Sequence, residues 1–286
     1  MKSITHLEIP GHVAISPGNG GFTRLRIETA WSSAEVYLHG AHVTHFQKKN
    51  EAPLLFMSKS SEFMPKKPIR GGVPVIFPWF GGREGLPAHG LARTVEWDLK
   101  ETILLDDGAV RVLFGMPPIE SIEVDYLVTV AETLSLELIV RNSGNKNYTF
   151  ETCLHTYFQI GDIHRVSVSG LKNTACHDKL TDKKSLETAE IRFASELERV
   201  YSDSTGTVEI HDPELDRVIR VEKSGSGSTV VWNPWIDKSR AMPDFGDDEY
   251  LQMVCVESGN VANNRITLPS GEIAVMKVDL SSRKPA

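Results

Sequence analysis

The sequence predicts an all-β protein, a large sandwich of antiparallel strands. Apolar and polar residues alternate with period two in many segments, and Gly, Pro, Asn and Asp bound most of these segments. Helical periodicity is scarce, because only short pieces such as residues 194–200 (ASELERV) have the spacing of one or two helical turns. The strand–helix alternation of a doubly wound sheet is therefore absent.

The predicted strands follow one another along the whole chain. They are TRLRIE (23–28), AEVYLHGAHVTHF (34–46), VRVLFG (110–115), DYLVTVAETLSLELIVRN (125–142), HRVSVSGL (164–171), GTVEIHD (206–212), DRVIRVEK (216–223), STVVWN (228–233), LQMVCVES (251–258) and EIAVMKVDL (272–280). The segment SGSGS at 224–228 joins two of them as a hairpin turn would. Because no longer linker, fixed repeat or low-complexity tract interrupts the series, we predict a single domain over residues 1–286.

The amino-acid composition indicates a globular chain and argues against nucleic acid and anionic membranes as partners. Of the 286 residues, 40% are hydrophobic and 24% are charged, which provides enough apolar surface for a core. The formal net charge is −7, so the chain has no broad attraction for nucleic acid or for an anionic membrane, and neither is expected as a partner. An anionic ligand would need a local cluster of arginines.

The cysteines and the N-terminal segment favour the cytoplasm. Cys153, Cys176 and Cys255 are odd in number and form no CxxC pair, so they indicate neither a disulfide framework nor a zinc framework. Residues 1–21 contain no apolar run of signal-peptide length, and no window of the sequence approaches a membrane span. We expect a protein that stays in the reducing compartment where it is made.

His155 and Glu257 are the candidates for acid–base chemistry. In ETCLHTYF (151–158), strand alternation places His155 on one face together with Cys153 and Tyr157. Glu257 lies at the end of a predicted strand, just before Ser-Gly-Asn, where a side chain can reach a cleft. The two residues are 102 positions apart, so only the fold can bring them together.

The same residues also have structural interpretations. A lone histidine in a strand is usually hydrogen-bonded structure, and a lone glutamate at a strand end is usually solvated. The histidines of HGAHVTH (39–45) divide between both faces of a strand, so no metal site is expected there. Cys153 shares a face with His155 but no third orienting group is evident, which favours a core thiol over a nucleophile.

The stretch RGGVPVIFPWFGGREGLPAHGLAR (70–93) predicts an ordered loop that binds an anion. Its prolines reduce conformational freedom, and Gly71 and Gly72 let a ligand approach the backbone. Arg70 and Arg93 close the stretch with planar guanidinium groups that match phosphate or carboxylate oxygens. Two solvated surface arginines are the alternative interpretation. Solvated positions are also assigned to Lys66, Lys67, Lys238 and Arg240.

Several motifs stand in one order along the chain: RGGVPVIFPWFG, AHGLAR, LHTYF with IGDI, VVWNPW and MVCVESGNV. As a set they resemble the glucose-6-phosphate 1-epimerases, the hexose-6-phosphate mutarotases within the aldose 1-epimerase group, from about Ile27 to about Leu280. Any one motif is a weak signal, whereas the whole set is specific. The resemblance implies a galactose-mutarotase-like β-supersandwich with its active site on the concave face of a curved sheet.

The resemblance also implies roles for particular residues. By position, His155 matches the general acid of the family and Glu257 matches its general base. Arg70 and Arg93 match its substrate-binding arginines. Interconverting two anomers requires removal of the proton from the O1 hydroxyl and protonation of the ring oxygen, so one acid and one base suffice.

Further sugar contacts are expected from neighbouring positions. Glu198 stands where relatives commonly carry an aspartate that contacts sugar hydroxyls, and His89 is expected to hydrogen-bond the sugar. Ala88 stands where some relatives carry a glutamine, so that side-chain contact is missing here. Trp232 or Trp235 is expected to form an apolar wall, with a plain core role as the alternative.

The implied reaction uses no cofactor and no metal, and the implied partner is a hexose 6-phosphate bound by a monomer. Two alternatives remain open. One is an aldose 1-epimerase acting on unphosphorylated sugars such as galactose, and the other is a non-catalytic carbohydrate-binding protein built on the same sandwich.

Overall fold

The fold is described from a computed structural model, which covers residues 4–285. In this range the chain is almost entirely β, which confirms the predicted class. The strands are β1 (Val13–Pro17), β2 (Thr23–Glu28), β3 (Ser32–Tyr37), β4 (His42–Lys48), β5 (Val75–Ile76), β6 (Asp98–Leu104), β7 (Val110–Gly115), β8 (Ile122–Val130), β9 (Leu134–Asn142), β10 (Tyr148–Phe150), β11 (Thr152–Leu154), β12 (Tyr157–Gln159), β13 (Ser167–Ser169), β14 (Ala175–Asp178), β15 (Lys183–Leu186), β16 (Ile191–Arg192), β17 (Leu197–Ser202), β18 (Val208–Asp212), β19 (Arg217–Ser224), β20 (Ser228–Asn233), β21 (Met253–Asn260), β22 (Ile266–Leu268) and β23 (Ile273–Arg283). Helix α1 spans Trp235–Ala241, and short 3-10 helices cover Thr5–Leu7, Asn19–Gly21, Ala92–Thr94, Glu249–Gln252 and Ala262–Asn264. Over residues 4–285 none of the helices has the length and apolar character needed to cross a membrane.

Most strands of this range lie in two large sheets. One has nine strands in the order β16-β13-β18-β19-β23-β9-β8-β7-β6. The other has eight, in the order β15-β14-β17-β20-β21-β11-β5, with β12 also paired to β21. Strands β1–β4 form a four-stranded sheet and β10 pairs with β22. The strand pairings are antiparallel, as the period-two patterning predicts.

Strand β9 shows how alternation builds the sandwich. Leu134, Leu136, Leu138 and Val140 are buried, whereas the residues between them are only partly buried. These four side chains belong to one large hydrophobic cluster that also contains Val231 from the eight-stranded sheet. Because burying an aliphatic side chain of this size contributes about 1.5–3 kcal/mol, the shared core is a strong reason for the two sheets to stay together.

The middle of the eight-stranded sheet is buried on both faces. Every residue of β20 and β21 is buried. In the antiparallel register Val230 lies opposite Glu257 and Trp232 lies opposite Cys255, so these four side chains share one face. A buried carboxyl group on this face is unusual for a core strand, and it indicates a site.

The helical turns predicted for residues 194–200 do not form. Strand β17 begins at Leu197, and Glu198 and Val200 pair with Trp232 and Val230 of β20. Pairing with β20 completes the backbone hydrogen bonds and buries Val200, which outweighs the local helical spacing.

The Gly/Pro-rich stretch 70–93 is an ordered loop packed closely against other backbone segments. Strand β5 in its middle pairs with β11. Gly72 and Gly90 have positive φ values of 59° and 75°, and a Cβ atom would lie 2.3 Å from the Val43 carbonyl oxygen at Gly72 and 2.1 Å from the Phe77 carbonyl oxygen at Gly90. Only glycine therefore fits at these two positions.

Replacing Gly90 by alanine should destabilise the fold far more than replacing Gly85. Both residues have positive φ, but a Cβ atom at Gly85 would meet no atom within 4 Å. We expect Gly85→Ala to lower the free energy of unfolding by about 1–2 kcal/mol, and Gly90→Ala by about 4 kcal/mol or more because its Cβ also overlaps the Phe77 carbonyl group. Urea denaturation of both variants measures the difference. Equal losses would contradict the close packing of the loop at Gly90.

Candidate active site

Five of the six residues predicted to act on the substrate line one cavity of about 280 Å³. They are Arg70, His89, His155, Glu198 and Glu257. The cavity is also lined by Phe80, Gly81, Gly82, Tyr157, Val230, Trp232, Lys238 and Met242. The stretch 70–93 thus meets β12, β17, β20 and β21 around one space.

The pairing of β11 and β12 with β21 brings the acid–base candidates together. Leu154 lies opposite Ser258 at the end of β11, and β12 resumes the same register at Tyr157. Carried across the break between the two short strands, this register places His155 opposite Glu257. Two residues far apart in the chain therefore become neighbours.

The His155 ring is held close to the Glu257 carboxyl group. His155 Nδ1 lies 3.3 Å from Glu257 Oε1. The contact lacks hydrogen-bond alignment, and Nδ1 has no hydrogen-bond partner within residues 4–285. The other carboxylate oxygen, Oε2, accepts a hydrogen bond from Cys153 Sγ at 3.5 Å. The imidazole stacks on the Tyr157 ring, with centroids 4.9 Å apart and planes 10° apart, and this stacking orients it.

Burial determines the protonation of the pair. Burial and, after it, His89 and the positive charges of Arg93 and Arg70 hold the pKa of His155 well below its usual range. Burial raises the pKa of Glu257 well above its usual range, although the hydrogen bond from Cys153 opposes this shift. Both shifts favour the uncharged forms of the two groups.

Arg70 is held in place by two side chains. Its Nε and Nη2 atoms lie 3.1 Å and 3.0 Å from Asp244 Oδ2, and its Nη1 atom donates to Tyr157 Oη at 3.0 Å. A guanidinium group has five N–H donors, so these contacts leave two for a ligand. The arrangement orients Arg70 towards the cavity without saturating it.

Arg93 lies behind the cavity lining. Its side chain is buried, and its Nη2 atom donates to the Ala88 carbonyl oxygen at 2.8 Å. Burial lowers the pKa of Arg93 to about 10, so the group remains charged at neutral pH. It acts electrostatically on both His155 and Glu257. The sequence predicts a direct substrate contact for Arg93, whereas the free site shows a buried positive charge beside the cavity.

His89 is a neutral hydrogen-bond donor next to the acid–base pair. Its backbone has a φ of 63°, and its Nδ1 atom accepts a hydrogen bond from the Gly81 N–H at 3.3 Å, which places the ring proton on Nε2. Burial and then the charge of Arg93 lower the pKa of His89 to about 3. The ring packs edge-on against Phe80 and His155, with centroids 4.8 Å and 5.6 Å away.

The two tryptophan candidates have different positions. Trp232 lines the cavity, opposite Glu198 in the sheet register. Trp235 does not line it and packs against Tyr250 with ring centroids 5.3 Å apart. Lys238 is exposed, as predicted, yet it also lines the cavity.

Sequence reasoning misses two residues that hold the site together. Tyr157 shares a strand face with His155, so the alternation of ETCLHTYF carried a signal for it. Asp244 is one of several acidic residues after helix α1, and nothing local marks it as the partner of Arg70.

The remaining sequence candidates have structural contacts. His39 Nε2 donates to the Lys67 carbonyl oxygen and His42 Nε2 donates to the Gly71 carbonyl oxygen, both at 2.7 Å. These two hydrogen bonds hold the backbone in place on either side of Arg70. Burial raises the pKa of the Cys153 thiol, which disfavours a nucleophilic thiolate.

Larger cavities exist, but neither of the following two is lined by His155 or Glu257. One of about 600 Å³ is lined by residues that include Ile15, Leu38 and Trp97, and none of the predicted site residues reaches it. Another of about 540 Å³ adjoins the site and shares Phe80 and Glu198 with it. Side-chain chemistry rather than size therefore identifies the candidate site.

Comparison with known proteins gives the family. Residues 23–281 match the sequence model of the family described as "Aldose 1-epimerase". The chain belongs to the aldose 1-epimerase family. It is therefore an epimerase, an enzyme of the isomerase class, and the resemblance that the motifs show is confirmed over nearly the whole chain.

Individual relatives agree with the family. Two curated proteins carry the name "Putative glucose-6-phosphate 1-epimerase". The one from Cenchrus ciliaris is 35% identical over 257 residues, which cover 84% of this chain and 78% of the relative. The one from Escherichia coli strain K12 is 35% identical over 237 residues, which cover 79% of each chain. The crystal structure of "a putative mutarotase (YeaD)" from Salmonella typhimurium has a TM-score of 0.89 at 28% identity and covers 97% of this chain and 96% of its own. The predicted mutarotase-type sandwich is confirmed.

Glu257→Gln should stabilise this aldose 1-epimerase family member, and the gain should grow with pH. Because the folded pKa of Glu257 is raised, the stability from its bound proton is complete below the unfolded value near 4.5 and is lost as pH rises through the folded pKa. Glutamine stays neutral throughout. We expect the Tm difference between variant and wild type to increase by about 2 °C or more between about pH 5 and pH 8.

Thermal unfolding followed by circular dichroism measures this difference. Glu84→Gln, at an exposed position of the stretch 70–93, is the control. A flat difference for Glu257→Gln would contradict a raised pKa at this carboxyl group.

Proposed function

We propose that this protein is a hexose-6-phosphate 1-epimerase, which interconverts the α and β anomers of glucose 6-phosphate and related hexose 6-phosphates. One observation carries the proposal: His155 faces Glu257 in a cavity to which Arg70 and Arg93 supply positive charge. The names of the relatives from Cenchrus ciliaris and Escherichia coli support a phosphorylated substrate.

The proposed reaction uses one acid and one base in turn. Glu257 removes the proton from the O1 hydroxyl while His155 protonates the ring oxygen, so the bond between C1 and the ring oxygen breaks and C1 becomes an aldehyde carbon. Rotation about the C1–C2 bond turns the other face of the carbonyl towards the ring hydroxyl. The two side chains then reverse their roles and close the ring as the other anomer.

Binding of the phosphate prepares these roles. In the free site burial favours the protonated form of Glu257, and the charges of Arg93 and Arg70 contribute to keeping His155 neutral. A phosphate dianion next to the two guanidinium groups offsets their positive charge, which raises the pKa of His155. Ring opening with Glu257 as base and His155 as acid needs an ionised carboxyl group and a protonated imidazole, and the rise in the pKa of His155 favours the second condition.

The substrate contacts follow from the free donors of the site. Arg70 has two N–H groups left after its contacts with Asp244 and Tyr157, which suits a bidentate interaction with phosphate oxygens. His89 offers its Nε2–H to the sugar, and Glu198 accepts hydrogen bonds from hydroxyls. Trp232 provides an apolar wall for the sugar ring.

The same proposal covers the cofactor requirement, the cellular compartment and the domain organisation. Two side chains supply all proton transfers, so the reaction uses no cofactor and no metal. The three cysteines are free and buried, which suits a reducing compartment such as the cytoplasm. One main hydrophobic cluster extends from Val13 to Leu280, which supports a single domain.

A coupled assay of anomer interconversion tests the function. Pure α-glucose 6-phosphate is supplied with a dehydrogenase specific for the β anomer, in parallel with free glucose and free galactose. We expect acceleration of the phosphosugar above its spontaneous rate, and a loss of about 10²–10⁴-fold in kcat/KM for Glu257→Gln but not for Glu84→Gln. Equal acceleration of the free sugars would indicate an unphosphorylated substrate. Sugar binding measured by calorimetry without any acceleration would indicate a binding protein.

Arginine variants test the phosphate contact separately. Arg70→Lys removes charge-assisted hydrogen-bonding capacity from the cavity, so the KM for glucose 6-phosphate should rise about 10–100-fold while the KM for free glucose changes little. Arg83→Lys is the matched control, because Arg83 lies in the same loop with half of its side chain exposed. Equal changes for both sugars would contradict the proposed phosphate site.

A further inference from the structure

Three side chains at the cavity form a cluster of the metal-ligand type. His155, Cys255 and Glu257 each offer one ligand atom, and these atoms all lie within 4.8 Å of one another. The residues are deeply buried, with exposed fractions of 7%, 0% and 1%. Imidazole, thiolate and carboxylate are ligand types that bind Zn²⁺. The proposed reaction uses two of these residues and assigns no role to Cys255.

The nitrogen of this cluster is unpartnered. His155 Nδ1 is buried and has no hydrogen-bond partner among the described residues, although it faces Glu257 Oε1 at 3.3 Å. A buried polar atom in this state is unfavourable, and a cation that takes up its lone pair would relieve the cost. The orphan nitrogen is thus an independent sign of a ligand at the cluster.

The spacing of the cluster suits a tetrahedral ion. With zinc–ligand bonds of about 2.0–2.3 Å, neighbouring ligand atoms in a tetrahedral site are roughly 3.5 Å apart. The His155 Nδ1 and Glu257 Oε1 atoms already have nearly this separation. No two ligand atoms of the cluster are more than 4.8 Å apart. A shift of about 1 Å in the longer separations therefore brings the three atoms to tetrahedral spacing.

We infer that His155 Nδ1, Cys255 Sγ and a carboxylate oxygen of Glu257 form a binding site for Zn²⁺ that reversibly inhibits the enzyme. On binding, the thiol and the carboxyl group each release their proton to solvent, and the imidazole donates a lone pair. One Zn²⁺ ion, one thiolate and one carboxylate have no net charge together. A neutral unit is the form that a buried position tolerates.

The surroundings allow the ion to enter from the cavity. His155 and Glu257 line the cavity, and Cys255 lies next to them on the same face of β21. Three protein ligands leave the fourth tetrahedral position for a water molecule on the cavity side. The charge of Arg70 is offset by Asp244, which reduces the repulsion that a cation meets on this path.

Bound zinc occupies both groups that the proposed reaction needs. The lone pair of His155 and the carboxylate of Glu257 become metal ligands, so neither can transfer a proton to or from the sugar. The ion and the substrate therefore exclude each other.

Titration of the full chain with ZnCl₂ and with CoCl₂, after treatment with EDTA and dialysis, tests the site. We expect one saturable zinc site by calorimetry and, with cobalt, the near-ultraviolet absorption of a thiolate–metal bond. Cys255→Ser and His155→Gln each remove one ligand, and each should weaken zinc binding by about tenfold or more. The cobalt absorption should disappear in Cys255→Ser. Because Cys255 lies on β21 and His155 lies between β11 and β12, a folding defect in one variant leaves the other as a test.

Cys176→Ser is the matched control, since it removes a buried thiol outside the cluster and should leave zinc binding unchanged. Absence of a saturable site in the wild type, or unchanged binding in both ligand variants, would overturn the inference. So would undiminished anomer interconversion with the site saturated. Calorimetry and cobalt absorption need no turnover, so a missing zinc site can be told apart from failure of the proposed reaction.

Discussion

The antiparallel register of β11 and β12 against β21 is the constraint on which the site depends. It brings His155 opposite Glu257, although the two are 102 residues apart in the chain. A slip of one residue would turn Glu257 to the other face of the sheet, so the register has to be strongly specified. β21 is also paired with β20 and packed on both faces, so a slip against β11 and β12 would disturb its packing on every side. The core therefore stabilises the fold and also keeps His155 and Glu257 in position.

Burial also supplies the chemistry. In water a histidine is more basic than a glutamate, and desolvation opposes this order by lowering the pKa of His155 and raising that of Glu257. The low-dielectric surroundings reduce stability at neutral pH, and such a conflict between stability and local chemistry is common at functional sites.

Proton transfer and metal binding depend on the same lone pairs. A neutral imidazole next to a carboxyl group and a thiol can exchange protons with a sugar or coordinate a soft to borderline cation, and the cluster around His155 has the atoms for both. The guanidinium group of Arg70 likewise serves both the structure of the site and the binding of a ligand. Asp244 and Tyr157 orient its guanidinium group and partly offset its charge, and two donors remain for an anion.

The strand class, one shared strand face and the family can be predicted from local patterns along the chain. Period-two alternation specified the all-β class and the shared face of His155 and Tyr157, and the ordered set of motifs specified the family. Three other features became evident from the three-dimensional arrangement alone. Residues 194–200 contribute to a strand, Arg93 lies behind the cavity lining, and Asp244 holds Arg70. The physical reason is that these features arise from pairing and packing between distant segments. Hydrogen bonding across a sheet and burial by a remote loop leave no periodic mark on the chain near the residues they affect.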